Sequence, residues 1–300
     1  MIILPEELVG KGGKMSKTGI RKNLKIIVII AVIVFLVISF FIFWLNTKKS
    51  DKVNNMLVNT SPVVMAHRGY HVNAVENTLG SLEAAAVFKP DYVELDVVES
   101  ADGELIVIHD NNLNRLAGLN KNIREMSKDE VKAVVLKQNG VQSHISTLND
   151  FVDKAIELNQ NLNVEIKIYG KESKDFVGNV VNLLISKNVD KKYLIQSLDW
   201  NTVLRVNELA PEISAGFIAL NKDFDINNAG IDFISIPVYD VAKDLLSHKD
   251  VTNKPIYIWT IDAEETIEKV YSEGAGGVIT NKCNDAITIR DQLKNTGSIK

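Results

Sequence analysis

Two segments of the chain place carboxylates on one face of a predicted strand. In YVELDVV, apolar residues alternate with Glu94 and Asp96, and in NVEIKIY they alternate with Glu165 and Lys167. Because successive side chains of a strand point to opposite faces, each strand has one apolar and one charged face. For either strand alone, a charged face exposed to solvent would be a sufficient explanation. Parallel sheets are normally covered by helices on the outside, however, so two such strands in one sheet favour a functional site. Three converging carboxylates repel one another unless a cation neutralises them, so the pattern predicts one bound Ca²⁺ or Mg²⁺.

Two histidines come directly after two other predicted strands. His67 and Arg68 follow VVMA, and His109 follows ELIVI. Histidine titrates near neutral pH, so such a pair can supply one general base and one general acid. Arg68 and Lys167 add cations that suit an anionic group, and the whole set is typical of metal-assisted phosphoryl chemistry. The remaining histidines lack a comparable position and are interpreted as surface or structural residues: His71, His144 and His248.

The elements that must position these side chains are short β-branched runs that alternate with helical patterns, as in repeated βα units. The predicted strands cover residues 63–66, 92–98, 104–108, 163–169, 193–198, 214–220, 232–236, 255–261 and 276–280. Roughly 240 residues with eight or nine strands predict an α/β fold, a closed (β/α)8 or TIM barrel whose rim would carry the histidines.

Local signals refine this prediction. The turn at residues 100–103 is too short for a parallel crossover, so the strands it joins are antiparallel or one lies outside the barrel. Asp199 is expected to begin a helix. Asp262 and Glu265 suggest a capping box for a helix that stops at Gly274.

The N-terminal part of the chain has a different character. Residues 26–45 are uncharged and, as a helix, would be long enough to cross the ~30 Å hydrocarbon core of a bilayer. A cleaved signal peptide is the alternative, although the run is long and no Ala-x-Ala site follows. Six Lys and Arg among residues 1–25 predict a cytoplasmic N-terminus and an extracytoplasmic domain at residues 61–300. Trp44 would then lie at the outer interface, and residues 46–60 form a polar linker.

Other sequence features limit the possible start codon, the metal chemistry and the partners of the protein. The codons for residues 11–15 can contain a ribosome-binding sequence, which leaves Met1 and Met15 as alternative starts, residues 1–14 being untranslated in the second case. The single cysteine excludes a disulfide framework and cysteine-based metal sites. Residues 46–300 contain 28 Lys and Arg against 36 Asp and Glu, which argues against a nucleic-acid partner. No protein partner is predicted.

An ordered set of motifs resembles the glycerophosphodiester phosphodiesterase family. The motifs are A-H-R-G (66–69), E-N-T (76–78), E-L-D-V (94–97), I-H-D (108–110), a loose N-x-x-L-x-R-L from 111, S-T-L-N-D-F (146–151), V-E-I-K (164–167), Q-S-L (196–198), I-W-T (258–260) and G-G-V-I-T-N (276–281). A lone His-Arg-Gly would be a weak signal, whereas this order across residues 63–281 is specific.

The resemblance implies a TIM barrel with a short insertion within residues 111–148, and hydrolysis of glycerophosphodiesters to glycerol 3-phosphate and an alcohol. It assigns catalysis to His67 and His109, metal binding to Glu94, Asp96 and Glu165, and phosphate binding to Arg68 and Lys167. Trp259 would line a glycerol pocket, or else be a core aromatic. Glu76 and Asn77 would order the site, or else cap the first helix.

The family pattern is not matched everywhere. Asn281 stands where the family usually has Asp, and Ile145-Ser146 where a proline precedes Thr-Leu. Neither departure touches the metal or histidine set, but the first could alter substrate fit at the last strand.

Several alternatives stay open at the level of sequence. A lysophospholipid-like substrate would make the protein a lysophospholipase D, and a polymer substrate a polyglycerol-phosphate hydrolase, since an outward-facing membrane position brings both within reach. A non-catalytic, membrane-tethered binding module is the third alternative. The sequence decides neither which divalent ion binds nor which histidine is the acid. It also does not decide whether water or the glycerol 2-hydroxyl attacks the phosphorus.

Overall fold

The structure is a computed structural model that describes residues 28–41, 61–220, 230–238 and 254–299. The chain divides into two compact units, Met1–Lys48 and Lys49–Lys300.

The first unit contains a helix over residues 28–41, whose apolar side chains are exposed; Phe40, for example, is 70% exposed. Among the residues that the structure describes, no helix combines the length and apolarity that a membrane crossing needs. The other positions of the predicted span, and the predictions for residues 1–25, Trp44 and the linker at 46–60, lie outside the described residues.

The second unit is built on a closed barrel of eight parallel strands. These are β1 (Val63–Ala66), β2 (Tyr92–Glu99), β7 (Leu162–Ile166), β8 (Leu194–Ser197), β9 (Ser214–Ile218), β10 (Phe233–Pro237), β11 (Ile256–Trp259) and β12 (Gly277–Thr280). Strand β1 pairs in parallel with both β12 and β2, which closes the sheet. The predicted TIM-barrel architecture is therefore confirmed.

The extra strand expected near residues 100–103 lies outside this barrel. Strand β3 (Leu105–Val107) pairs antiparallel with β2, and β6 (Ser146–Thr147) pairs antiparallel with β3. The antiparallel prediction for the short turn is confirmed.

The insertion between β3 and β6 contains elements that the sequence pattern did not reveal. They are the short helices α2 (Asn114–Ala117) and α3 (Lys128–Lys132), a 3-10 turn (Ile123–Glu125), and a hairpin of β4 (Val135–Gln138) and β5 (Val141–His144). The hairpin strands are only four residues long and half exposed, so they lack an apolar run.

Helices cover the outside of the barrel. They are α1 (Leu79–Ala86), α4 (Leu148–Glu157), α5 (Phe176–Ser186), α6 (Trp200–Leu209), α7 (Glu264–Ser272) and α8 (Cys283–Asn295). The predicted start of α6 is confirmed, since the carboxylate of Asp199 accepts a hydrogen bond from the backbone N–H of Thr202 at 2.7 Å. Helix α7 ends before Gly274, whose φ of +86° suits glycine.

Two capping interpretations are wrong. Helix α7 begins after Ala263 without a side-chain cap, because the carboxylate of Asp262 accepts instead from the hydroxyl of Thr280 and from Asn281. Helix α1 is capped by Thr78, so the preceding Glu76 and Asn77 are not its caps.

The two faces of each barrel strand are buried in different environments, one against the outer helices and one in the barrel interior. Val93 and Leu95 of β2 are fully buried in the same outer core as Leu82 of α1 and Phe151 of α4. Burial of each such side chain contributes about 1.5–3 kcal/mol relative to exposure. The floor of the barrel interior is mainly apolar and contains Val63, Met65, Leu194, Phe233, Tyr257 and Ile279, with the buried amide of Asn163 against Met65.

A glycine makes room for the ring of Phe233 in this floor. A Cβ at Gly216 would overlap the ring of Phe233, so only glycine fits there. Above this floor, the inner face of the barrel carries the polar site.

Candidate active site

The predicted carboxylates meet inside the barrel. Glu94 and Asp96 lie on β2 and Glu165 on the adjacent β7, where Asp96 and Glu165 are register partners. All three are buried, with exposures of 1%, 1% and 8%. One oxygen of each lies within 4.8 Å of the others, and this is the only such acidic group within the described ranges. Three converging carboxylate oxygens match the ligands that Mg²⁺ and Ca²⁺ prefer, so the chain has a cluster that could hold a metal ion.

Two cations stand beside the three carboxylates. Lys167 Nζ lies 3.0 Å from Asp96 Oδ1 and 2.6 Å from Glu165 Oε1. Arg68 Nε lies 3.4 Å from Asp96 Oδ2, and the Arg68 backbone N–H donates to Glu94 Oε2 at 2.9 Å. Asp96 is thus the carboxylate that both cations contact.

The unequal distribution of these two cations determines which carboxylates of the cluster are protonated. Burial and the charge of Asp96 raise the pKa of Glu165 to about 7. Burial, with Asp96 and Glu165 nearby, also raises the pKa of Glu94 well above its ordinary value. Burial acts to raise the pKa of Asp96 too, but Lys167 and Arg68 outweigh it and hold that pKa below its usual range. Without a metal ion the cluster therefore retains protons that a divalent cation would displace.

The two predicted histidines flank the cluster, each held through Nδ1. His67 Nδ1 lies 2.8 Å from Asn281 Oδ1, and His109 Nδ1 lies 2.6 Å from Asp110 Oδ1. Burial and the charge of Arg68 lower the pKa of His67 to about 4. Burial also lowers the pKa of His109, although Asp96 opposes this effect.

Glu76 connects the site to the insertion. Its carboxylate accepts from Arg68 Nη1 at 2.8 Å and from two nitrogens of Arg115 at 2.7 and 2.9 Å. Gln138 at the end of β4 donates a further hydrogen bond at 3.0 Å. Arg115 Nε also donates to Asp110 at 2.5 Å, so one guanidinium joins Glu76 to the partner of His109.

Asn77 contacts a metal-cluster residue directly. Its Nδ2 donates to Asp96 Oδ2 at 2.8 Å, and its Oδ1 accepts from the Asp96 backbone N–H at 3.1 Å. Since neither Asn77 nor Glu76 caps the helix, the geometry favours the alternative that both order the site.

A cavity of about 130 Å³ brings these groups together. Its lining residues are His67, Arg68, Glu94, His109, Glu165, Lys167, Gln196, Leu198, Ile218, Trp259 and Ile279. The charged members come from one side of the barrel and the apolar ones, including Trp259, from β8 to β12.

Sequence reasoning missed several residues of this site. Asp110, Arg115 and Gln196 lay inside quoted motifs but received no role. Asp262 was interpreted as a cap, and Gln138 has no sequence signal because only the hairpin fold brings it to Glu76.

Comparison with known proteins agrees with the geometry. The model of the glycerophosphoryl diester phosphodiesterase family matches residues 67–285. The chain belongs to this family. A glycerophosphodiester phosphodiesterase of Caldanaerobacter subterraneus is 24% identical over 232 residues, which cover 73% of this chain and 93% of that protein. The resemblance drawn from the ordered motifs is thereby confirmed.

Solved structures share the family fold. A glycerophosphodiester phosphodiesterase from Parabacteroides distasonis has a TM-score of 0.68 at 22% identity, with 78% of this chain and 98% of that chain covered. An Oleispira antarctica phosphodiesterase in complex with the product sn-glycerol-3-phosphate has a TM-score of 0.65 at 22% identity, with 77% and 97% covered.

Proposed function

We propose that this family member hydrolyses glycerophosphodiesters to glycerol 3-phosphate and an alcohol in a metal-dependent reaction. The observation that carries the proposal is a single cavity that is lined by two histidines, two cations and two carboxylates of the acidic cluster. Family membership and the sn-glycerol-3-phosphate product of the Oleispira antarctica phosphodiesterase support the same substrate class.

Each group in the cavity has a task in this reaction. Glu94, Asp96 and Glu165 would hold one Mg²⁺ or Ca²⁺, which supplies positive charge for a phosphodiester. Arg68 and Lys167, which already neutralise Asp96, are placed to bind phosphate oxygens once a metal ion relieves them of that role.

The apolar half of the cavity suits the carbon skeleton of the glycerol. Trp259, Ile218 and Ile279 present apolar surface opposite the charged groups. His67 and His109 lie in the charged half, where one accepts a proton from the attacking oxygen and the other protonates the leaving oxygen. We favour attack by the glycerol 2-hydroxyl through a cyclic phosphate. A substrate without that hydroxyl should then turn over slowly, and a normal rate would show direct attack by water.

The decisive experiment is product analysis. Full-length protein is given glycerophosphocholine, glycerophosphoethanolamine, lysophospholipid or glycerol-phosphate polymer, first after exhaustive chelation and then with Mg²⁺ or Ca²⁺. We expect glycerol 3-phosphate from the first two substrates only when metal is present. Full turnover after chelation would refute the metal site. Preferred cleavage of lysophospholipid or polymer would identify one of those substrates, and no turnover of any substrate would favour a binding module.

A matched variant separates metal binding from folding. Glu94→Gln preserves shape but removes a charged ligand, so it should abolish turnover while the metal-free protein keeps a thermal transition no lower than that of metal-free wild type. A metal-free variant that is much less stable than metal-free wild type would point to a structural role for Glu94.

We further propose that residues 26–45 anchor the protein in the cell membrane, with the N-terminus in the cytoplasm and residues 61–300 outside. The uncharged run and the basic residues before it support this topology. Protease added to intact cells should degrade the domain. A domain that survives until the membrane is opened would overturn the orientation.

A further inference from the structure

A chain of hydrogen bonds runs from β11 to the first histidine. Asp262 follows β11, and its Oδ2 accepts from Asn281 Nδ2 at 2.7 Å. Asn281 follows β12, and its Oδ1 lies 2.8 Å from His67 Nδ1. His67 Nε2 has no hydrogen-bond partner among the described residues, and His67 lines the cavity.

The donors and acceptors in this chain permit only one arrangement of protons. The Asp262 carboxylate is an acceptor, and its Oδ1 already receives the Asn281 backbone N–H at 2.8 Å and the Thr280 hydroxyl at 3.1 Å. Its Oδ2 must therefore face the NH₂ of Asn281, because the flipped amide would bring two oxygens within 2.7 Å. The amide oxygen then faces His67, and an oxygen that only accepts requires a proton on Nδ1.

We propose that Asp262 and Asn281 are positioning residues that keep the proton of neutral His67 on Nδ1. The lone pair on Nε2 is then available to the cavity, which makes His67 the general base. His109 differs, because its Nδ1 meets a carboxylate, that of Asp110. Burial lowers the pKa of both rings, but at His109 this carboxylate opposes the effect by stabilising the imidazolium. His109 is accordingly the general acid. The inference rests on the proposed phosphodiesterase function.

The proton transfers balance in this scheme. His67 Nε2 takes the proton of the attacking O–H as that oxygen forms a bond to phosphorus. The bond from phosphorus to the leaving oxygen breaks, the electron pair stays on that oxygen, and the imidazolium of His109 supplies its proton.

An isosteric exchange at position 262 tests the positioning role. In Asp262→Asn, the carbonyl oxygen keeps the Asn281 N–H, so the new NH₂ faces the amide of Asn281. That amide must flip and present its NH₂ to His67, which then accepts at Nδ1 and carries its proton on Nε2. We expect this tautomer in ¹H–¹⁵N spectra of the ¹⁵N-histidine-labelled full chain at about pH 8, above the ordinary histidine pKa. Turnover of glycerophosphocholine with metal should fall roughly 10²–10⁴-fold.

A second exchange should reverse both effects. In the double variant D262N/N281D, the introduced carboxylate accepts from the amide at position 262 and from His67 Nδ1–H. The proton should return to Nδ1, and turnover should exceed that of D262N. A merely structural role for Asp262 predicts no such rescue.

Two further variants keep the test decisive. Asp285→Asn makes the same chemical change in a neighbouring Asn284–Asp285 hydrogen bond of 2.7 Å, away from His67, and should leave tautomer and turnover unchanged. Asn281→Ala removes the acceptor and covers the case in which D262N fails to fold; His67 should then sample both tautomers and turnover should fall.

Several results would overturn the inference. For D262N, an Nδ1–H tautomer, with or without lost turnover, would do so. For the double variant, it would be a restored tautomer with turnover no higher than that of D262N. For Asn281→Ala, it would be full turnover. The tautomer measurement needs no substrate. A wild type that releases no glycerol 3-phosphate would therefore defeat the proposed function while leaving the hydrogen-bond chain testable.

Discussion

Replacing one metal ligand should stabilise the metal-free protein. The pKa of Glu165 is about 7 in the folded protein, because of burial and the charge of Asp96, against 4.5 for an ordinary glutamate. This difference makes ionised Glu165 destabilising by up to about 3 kcal/mol in the metal-free fold. Since the folded state binds this proton more tightly, the penalty is absent below pH 4.5, grows as pH rises through 7, and is complete above it.

Glu165→Gln removes the charge and keeps the shape. The amide oxygen can still accept from Lys167, which also retains Asp96 at 3.0 Å. At about pH 8 the metal-free variant should therefore be more stable than metal-free wild type by roughly 1–3 kcal/mol, a rise in Tm of several degrees for a domain of this size. At a pH near 4.5 the two proteins should have almost the same Tm, because wild-type Glu165 is then protonated.

Thermal unfolding followed by circular dichroism, with chelator at both pH values and then with Mg²⁺ or Ca²⁺, checks this expectation. Added metal should raise the Tm of wild type at high pH and should not raise that of the variant. Glu76→Gln is the control with opposite sign. Burial would raise the pKa of Glu76, but Arg115 and Arg68 lower it, so removal of that charge should destabilise the protein at high pH. A metal-free Glu165→Gln variant less stable than wild type at high pH would refute the reasoning.

Three other predictions follow from the same contacts. Because metal must displace at least the proton of Glu165, the Kd measured by titration calorimetry should fall at least roughly tenfold per pH unit as the pH rises towards about 7, and a constant Kd would contradict this. Alanine at either His67 or His109 should lower turnover of a substrate with a poor alkoxide leaving group by roughly 10²–10⁴-fold. Only the His109 variant should regain turnover on a p-nitrophenyl ester, whose leaving group needs no proton. Recovery of both variants or of neither would contradict the assigned roles. Arg115→Ala frees Asp110 and should lower kcat roughly tenfold, with Arg115→Lys recovering part of the loss; an unchanged kcat would show that the guanidinium is dispensable.

The barrel could be predicted from sequence because its signals are local and repeated. Alternation in YVELDVV places Val93 and Leu95 outside and Glu94 and Asp96 inside. The first two side chains lie in the outer core, and the other two meet Glu165 in the acidic cluster. The antiparallel β3 followed from the length of one turn. By contrast, the β4–β5 hairpin is short and half exposed, so nothing in its pattern distinguishes it from a loop.

The polar contacts of the site were harder to predict, because they join residues far apart in sequence. Arg115 reaches Glu76 across 39 positions, and Asn281 reaches His67 across 214. A capping signal was the best local explanation for Asp262, yet its carboxylate is used by Thr280 and Asn281 at the next strand end. Local patterns could place each residue at the rim of the barrel but could not pair it.

The asparagine at position 281 acquires a physical explanation from these contacts. The sequence suggested an effect on substrate fit, whereas the side chain contacts His67 rather than only bordering the cavity. A carboxylate in direct contact would favour the imidazolium of His67, while a neutral amide fixes the same tautomer without that charge. The negative charge of Asp262 stays one residue further away, where it orients the amide. At His109 the carboxylate of Asp110 contacts Nδ1 directly. The two imidazole rings are chemically identical, but their different partners suit them to opposite proton transfers.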